Sequence, residues 1–137
     1  MMKRLTTDRL RSLALVAAGG FVGATARYGV GLALPTGFPW GTLTVNVAGS
    51  FALAVVLYEE RLRGALGPET RLLVGTGFLS SFTTYSTFAT ETASLAPEMA
   101  ILNVAANYGL GLLAVLAGRS VARRWLADHS TAWRWTR

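Results

Sequence analysis

Between residues 80 and 88 the chain reads SSFTTYSTF. Ser80, Ser81, Thr83, Thr84, Tyr85, Ser86 and Thr87 place seven hydroxyls in eight positions. Hydroxyls donate and accept hydrogen bonds without carrying charge, so such a cluster can replace the water around an ion. Asn46 offers related chemistry, with an amide that has donors and an acceptor. At helical spacing Asn46 shares a face with Thr42 and Ser50, and Gly49 lies beside it. Asn103, Asn107 and Gly111 align in the same way, with Tyr108 next to Asn107, and Arg27 aligns with Gly19 and Gly23. Enzyme constellations are missing: there is no paired carboxylate, His-Glu-x-x-His, phosphate loop or Gly-x-Ser-x-Gly, and there is no cysteine. GGFVGATARYG is glycine-rich, but no strand pattern precedes it, so a dinucleotide fingerprint is excluded.

The elements that position these residues are apolar runs. Of the 137 residues, 52% are hydrophobic and 15% charged, against about 25% charged in an ordinary soluble domain. Four runs stand out: Ser12–Leu34 with Arg27 as its one charge, Gly41–Tyr58 with none, Leu72–Leu95 with Glu91, and Ala100–Gly118 with none. A membrane-spanning helix needs about 20 apolar residues, and all four runs are long enough. The expectation is an all-α membrane protein, one domain over 1–137. Its four spans would lie near 12–34, 41–58, 72–95 and 100–121, with a polar cytoplasmic tail over 122–137. A cleaved leader is the rival reading of the start, because MMKRLTTDRLR precedes an apolar stretch and Ala24-Thr25-Ala26 has a small-x-small pattern. The run continues past that point to Leu34, which a first span explains. The net charge of +6 comes from Lys and Arg at the ends of the runs, not from a basic stripe with interleaved aromatics, so no nucleic-acid partner is expected.

Each polar residue has a structural and a functional reading. Asn46 is either interhelical glue worth about 1 kcal/mol or a pore-lining ligand for an ion. Arg27 is near enough to a loop to snorkel, or it faces a vestibule. The hydroxyl cluster fits a third span broken near residues 79–84, where freed backbone would face protein or a water-filled cavity. It fits equally an intact helix whose hydroxyls bond back to their own preceding turn.

GGFVGATARY, WGTLTVNVAGSF and TGFLSSFTTYSTFATET, in this order and spacing, resemble the signature blocks of the Fluc fluoride channels, also called CrcB. The resemblance covers residues 15–120. It implies passive export of fluoride across the bacterial plasma membrane by an antiparallel dimer with two pores, reducing fluoride toxicity. It implies a third helix broken at the threonine-rich motif. A structural sodium ion, not transported, would be held at the break by the backbone carbonyls of Ser80 and Thr83. The pore asparagine of such proteins matches Asn46, and their paired pore phenylalanines match Tyr85 and Phe88. Thr42 and Tyr108 are placed on the same fluoride path, and Arg27 in a vestibule or in packing. Three positions depart from the pattern: Ser80-Ser81 stands for Gly-Gly, Tyr85 for phenylalanine, and Leu112 for a serine on the last helix. Serine would be unfavourable at the first of these if the backbone needed a positive φ.

Two further readings compete. A small proton-coupled drug exporter would also have four spans and would need a membrane-embedded carboxylate, for which Glu91 is the candidate. A non-conducting partner subunit of a channel dimer would only pack. Orientation bears on the partner. Four spans would put both termini and the 59–71 link on one side, and twelve of the thirteen Lys and Arg residues fall there, leaving Arg27. Positive charge stays cytoplasmic, so both termini are expected inside. An antiparallel dimer then calls for a related chain of reverse orientation, with a homodimer as the alternative.

Overall fold

The computed structural model describes residues 2–62 and 66–131, and among them every regular element is helical. Helix α1 covers Met2–Ala33 and α2 covers Trp40–Leu62. The link between them turns at Gly37, whose φ of 108° lies in the region where only glycine is free of strain. A third segment comes in pieces: α3 (Pro68–Thr70), a π-helix (Arg71–Leu79), α4 (Ser80–Phe82) and α5 (Tyr85–Ser94). The last helix, α6, covers Pro97–Thr131.

Helices α1, α2 and α6 contain the stretches Thr7–Ala33, Trp40–Glu59 and Pro97–Arg124, each long and apolar enough to cross a membrane. Their large side chains point outward: Phe21, Leu32, Ile101 and Leu112 are all exposed. A soluble domain would bury that surface. Helix α1 begins well before Ser12, because nothing in the basic N-terminus breaks it. Helix α6 begins at Pro97, which suits a first helical position because proline has no N–H to lose there. It runs on through Thr131, so residues 122–131, expected as a tail, continue the helix. Residues 132–137 of that tail, with Arg134 and Arg137, lie outside the described residues, as does Arg63 in the 59–71 link.

Two packing modes hold these helices together. Helix α1 lies against the π-helix, backbone to backbone. A Cβ on Gly77 would sit 2.8 Å from the Val16 carbonyl oxygen, and one on Gly19 would collide with the Leu73 carbonyl. No side chain fits between the two, which is why the small residues are there. Helix α2 packs on α6. Gly118 meets the Phe51 carbonyl there, and Asn103, with 0% exposure, is buried, as are Leu43, Val45 and Ala54 of α2.

Candidate ion path around the Thr83–Thr84 break

Between α4 and α5 the backbone leaves helical geometry for two residues. Thr83 has ψ 159°, and Thr84 has φ −152° and ψ 123°. The Thr83 N–H still reaches the Leu79 carbonyl at 3.1 Å. The next amide does not continue the ladder: the Thr84 N–H donates to Asn46 Oδ1 at 2.9 Å, and Asn46 Nδ2 donates to the Thr84 carbonyl at 3.1 Å. The side-chain amide thus grips both ends of residue 84 as a neighbouring strand would. The Ser80 carbonyl, which Thr84 would have satisfied in a continuous helix, is left without its i+4 amide.

Beyond the break the chain restarts by capping itself. Thr84 Oγ1 accepts from the Thr87 N–H at 3.2 Å, the N-cap role that threonine performs well. The other hydroxyls largely turn back on their own backbone. Thr83 donates to the Leu79 carbonyl, Thr90 to those of Ser86 and Thr87, and Ser80 to those of Thr76 and Gly77. The segment is therefore interrupted and back-bonded at once.

Two hollows meet at Thr84. A cavity of about 610 Å³ is lined by Arg27, Thr42, Thr84, Thr87 and Glu91 among others. A groove of about 440 Å³ is lined by Asn46, Ser50, Ser80, Thr83, Thr84 and Tyr85 among others. Thr84 borders both and is itself buried. Arg27 and Glu91 are half-buried, no ion pair joins them, and Glu91 Oε2 is enclosed with no hydrogen-bond partner. The aromatic residues form a short row. The buried Phe88 ring lies 5.8 Å from Tyr85 and meets Tyr108 edge-on at 6.1 Å and 89°. Tyr85 is 73% exposed and Tyr108 63%. The expected residues thus fall into connected groups: Asn46, Ser80, Thr83 and Tyr85 on the groove, Arg27 and Thr42 on the cavity, and Phe88 and Tyr108 reached through Tyr85.

A polar chain behind this site was not anticipated. Asn46 Nδ2 also donates to Asn107 Oδ1 at 3.2 Å. Asn107 Nδ2 donates to Asn103 Oδ1 at 3.0 Å and to the Asn103 carbonyl at 3.0 Å. Asn103 Nδ2 donates to Thr92 Oγ1 at 2.8 Å, and Thr92 Oγ1 to the Phe88 carbonyl at 2.6 Å. Every link donates in the same sense, so the bond dipoles add and strengthen one another. The Asn103/Asn107 spacing put both residues on one face of α6. Thr92 was the missing partner, and nothing local in the sequence marks it.

The sequence matches the family model described as CrcB-like protein, Camphor Resistance (CrcB), over residues 14–119. The chain belongs to the CrcB family. Similar relatives include the fluoride-specific ion channel FluC 1 of Natronomonas pharaonis, 62% identical over 115 residues that span 82% of this chain and 95% of the relative. FluC 1 of Haloarcula marismortui is 55% identical over 114 residues, 83% and 87% of the two chains. FluC of Chlorobium phaeobacteroides is 42% identical over 125 residues, 86% and 98%. The CrcB match takes in the break, both asparagine helices and the Arg27 turn, and ends at Arg119, just as α6 becomes basic.

One departure of this CrcB chain has a structural answer. Ser80 has φ −68° and ψ −25°, ordinary right-handed helix, and no described residue other than glycine has a positive φ. Serine in place of glycine therefore carries no backbone penalty at Ser80 and Ser81.

Proposed function

We propose that this chain is a fluoride-specific ion channel subunit, through which fluoride leaves the cell passively down its gradient. The observation that carries the reading is the helix break at Thr83–Thr84, gripped by Asn46 and set between two hollows that Thr84 borders. The names of the relatives, at up to 62% identity, supply the ion. A small, strongly hydrated anion needs donors that replace water without trapping it. Asn46 Nδ2 and the Thr87 hydroxyl, which accepts from the Thr84 hydroxyl and keeps its own proton, are such donors, and the positive edges of the Tyr85 and Phe88 rings add weaker ones. Several weak contacts in series suit conduction better than one tight site. Arg27 would draw anions into the cavity, and Thr42 would line their way to Thr84.

The segment Pro68–Ser94 would be the third of four spans, crossing as two half-helices, in a multi-pass protein of the cell membrane with both termini cytoplasmic. The donor set at the break fits a structural sodium ion. The Ser80 carbonyl has lost its amide partner to Asn46, the negative end of a helix dipole points out at α4, and a hard cation prefers oxygen ligands. The carbonyls of Ser80 and Thr83 would hold it, and it would supply fixed positive charge at the centre of an assembly.

The assembly would be an antiparallel dimer. The exposed rings of Tyr85 and Tyr108 and the groove beside them are the surface that a second chain would close. Lys and Arg cluster on one side so strongly that a single chain should insert one way, which favours a related partner of opposite orientation over a homodimer. The relatives named FluC 1 and FluC 2 fit organisms with more than one such chain.

The test is fluoride efflux from liposomes holding this chain alone, or this chain with a co-expressed relative. Fluoride-selective efflux in either preparation is expected. Proton-coupled uptake of an organic cation with no fluoride efflux would overturn the reading in favour of an exporter working through the enclosed Glu91 carboxylate. Fluoride efflux from the purified single chain, with its tail labelled equally from both faces, would overturn the two-chain dimer.

A further inference from the structure

Asn46 has a conflict of roles. As an anion ligand it must donate, yet both of its amide N–H groups are already engaged, one by the Thr84 carbonyl at 3.1 Å and one by Asn107 Oδ1 at 3.2 Å. The amide cannot turn over to offer anything else, because only its oxygen can accept from the Thr84 N–H at 2.9 Å. The Thr84 contact is a closed two-point ring. The Asn107 contact is a single, longer bond, so it is the one an anion in the groove displaces first.

We infer that Asn107 is a positioning residue that competes with the permeating anion for the second Asn46 N–H and so keeps anion binding at Asn46 weak. This rests on the fluoride-channel reading and goes beyond it, since it assigns a role to a residue on α6 that is not itself a ligand. Asn107 is built for the task. Its own amide is locked by two bonds to Asn103, and Asn103 is fully enclosed and tied to Thr92. The Asn107 oxygen therefore stays aimed at Asn46 whether or not the anion is present, and the bond re-forms when the ion leaves. Each passage exchanges a neutral hydrogen bond for a charge-assisted one, and the bond to Asn107 that is given up offsets part of what the anion gains. The anion then meets no unsatisfied donor to fall into and leaves no unsatisfied donor behind.

The experiment measures fluoride efflux against fluoride concentration in liposomes, for the wild type, Asn107→Leu and Asn107→Ser. Leucine keeps the approximate size and removes the acceptor. Serine at 107 is too short to reach Asn46 but can still bond back to the Asn103 carbonyl, so it serves if the leucine variant does not assemble. The expected result is that half-saturation moves to lower fluoride by about 2- to 10-fold, the worth of one hydrogen bond, while the maximal rate falls. A purely structural role would instead reduce the fraction of active liposomes and leave half-saturation where it was. Unchanged half-saturation in an assembled variant, with a conducting wild type, overturns the inference and leaves the channel reading standing. No efflux from the wild type in any preparation overturns the channel reading, and the inference with it.

Discussion

The two halves of the segment Pro68–Ser94 are held by opposite means. The first half, the π-helix Arg71–Leu79, is fastened to α1 by absence of side chains: Gly19, Gly23 and Gly77 let carbonyls and Cα atoms touch. The second half, α5, is fastened to α2 and α6 by amides and hydroxyls that meet in one continuous chain from Thr84 to Phe88. Close backbone contact fixes position through shape and tolerates no added atom. A hydrogen-bonded chain fixes orientation, and a bond in it can be exchanged for another. If the proposed path is right, the segment must stay put at one end and handle an ion at the other, and the difference separates anchor from working part.

The most damaging way to test this contrast is to fill the glycine seam. Gly77→Leu would drive a side chain into the Val16 carbonyl and the Gly19 backbone. Overpacking of this kind costs about 1–3 kcal/mol where the surroundings can yield, and here the neighbours are backbone, so more. The expected outcome is loss of the monodisperse species in detergent, measured by size exclusion, before any question of flux arises.

Asn46→Leu comes next. It leaves the Thr84 N–H and carbonyl without partners, at about 1–3 kcal/mol each. Fluoride efflux should vanish and the thermal midpoint drop, while some assembled protein survives because α1 still holds the π-helix. Full efflux from this variant would return Asn46 to the role of interhelical glue.

Asn103→Leu cuts the chain further from the ion. It strands one donor of Asn107, which keeps its bond to the Asn103 carbonyl. A destabilisation of about 1–3 kcal/mol should appear in thermal melts, with efflux reduced several-fold and not abolished. Equal loss of flux in Asn103→Leu and Asn46→Leu would mean that the two residues act as one rigid unit.

Thr83→Ser should do least. It removes a methyl that rests on Gly49 and keeps the hydroxyl bond to the Leu79 carbonyl. Since the proposed sodium ligands are main-chain carbonyls, dependence of the dimer on sodium should persist unchanged. Replacing sodium by a large organic cation should weaken assembly in the wild type and in this variant alike. Indifference of both to sodium would remove the cation from the account.

Much of this contrast could be read from the residues alone, and the unreadable part has a physical pattern. Apolar length marked α1, α2 and α6, because a lipid-facing helix cannot hide its composition. The hydroxyl cluster and Asn46 stood out through residue type, and the structure brings Asn46 to Thr84 within that cluster. The helix ends were harder to place, since α6 opens at Pro97, ahead of the apolar run at Ala100, and continues past that run through residues 122–131. The π-helix left no mark, because nothing local to Arg71–Leu79 distinguishes an i+5 hydrogen-bond ladder from the ordinary i+4 one. The asparagine chain was half visible. Asn103 and Asn107 could be seen to share a face, but their link to Thr92 depends on how α5 and α6 cross, which no pattern within either helix records.

The grip of Asn46 on Thr84 also makes a clock. Backbone amides ordinarily trade hydrogen for deuterium when a helix or strand opens. The Thr84 amide is held by a side chain and not by the ladder, so its exchange follows the swing of one amide group while the helices on either side stay shut. Deuterium uptake at that single position, read beside the ladder-bonded amides further along α5, would time how often Asn46 lets go, with no probe attached to the protein.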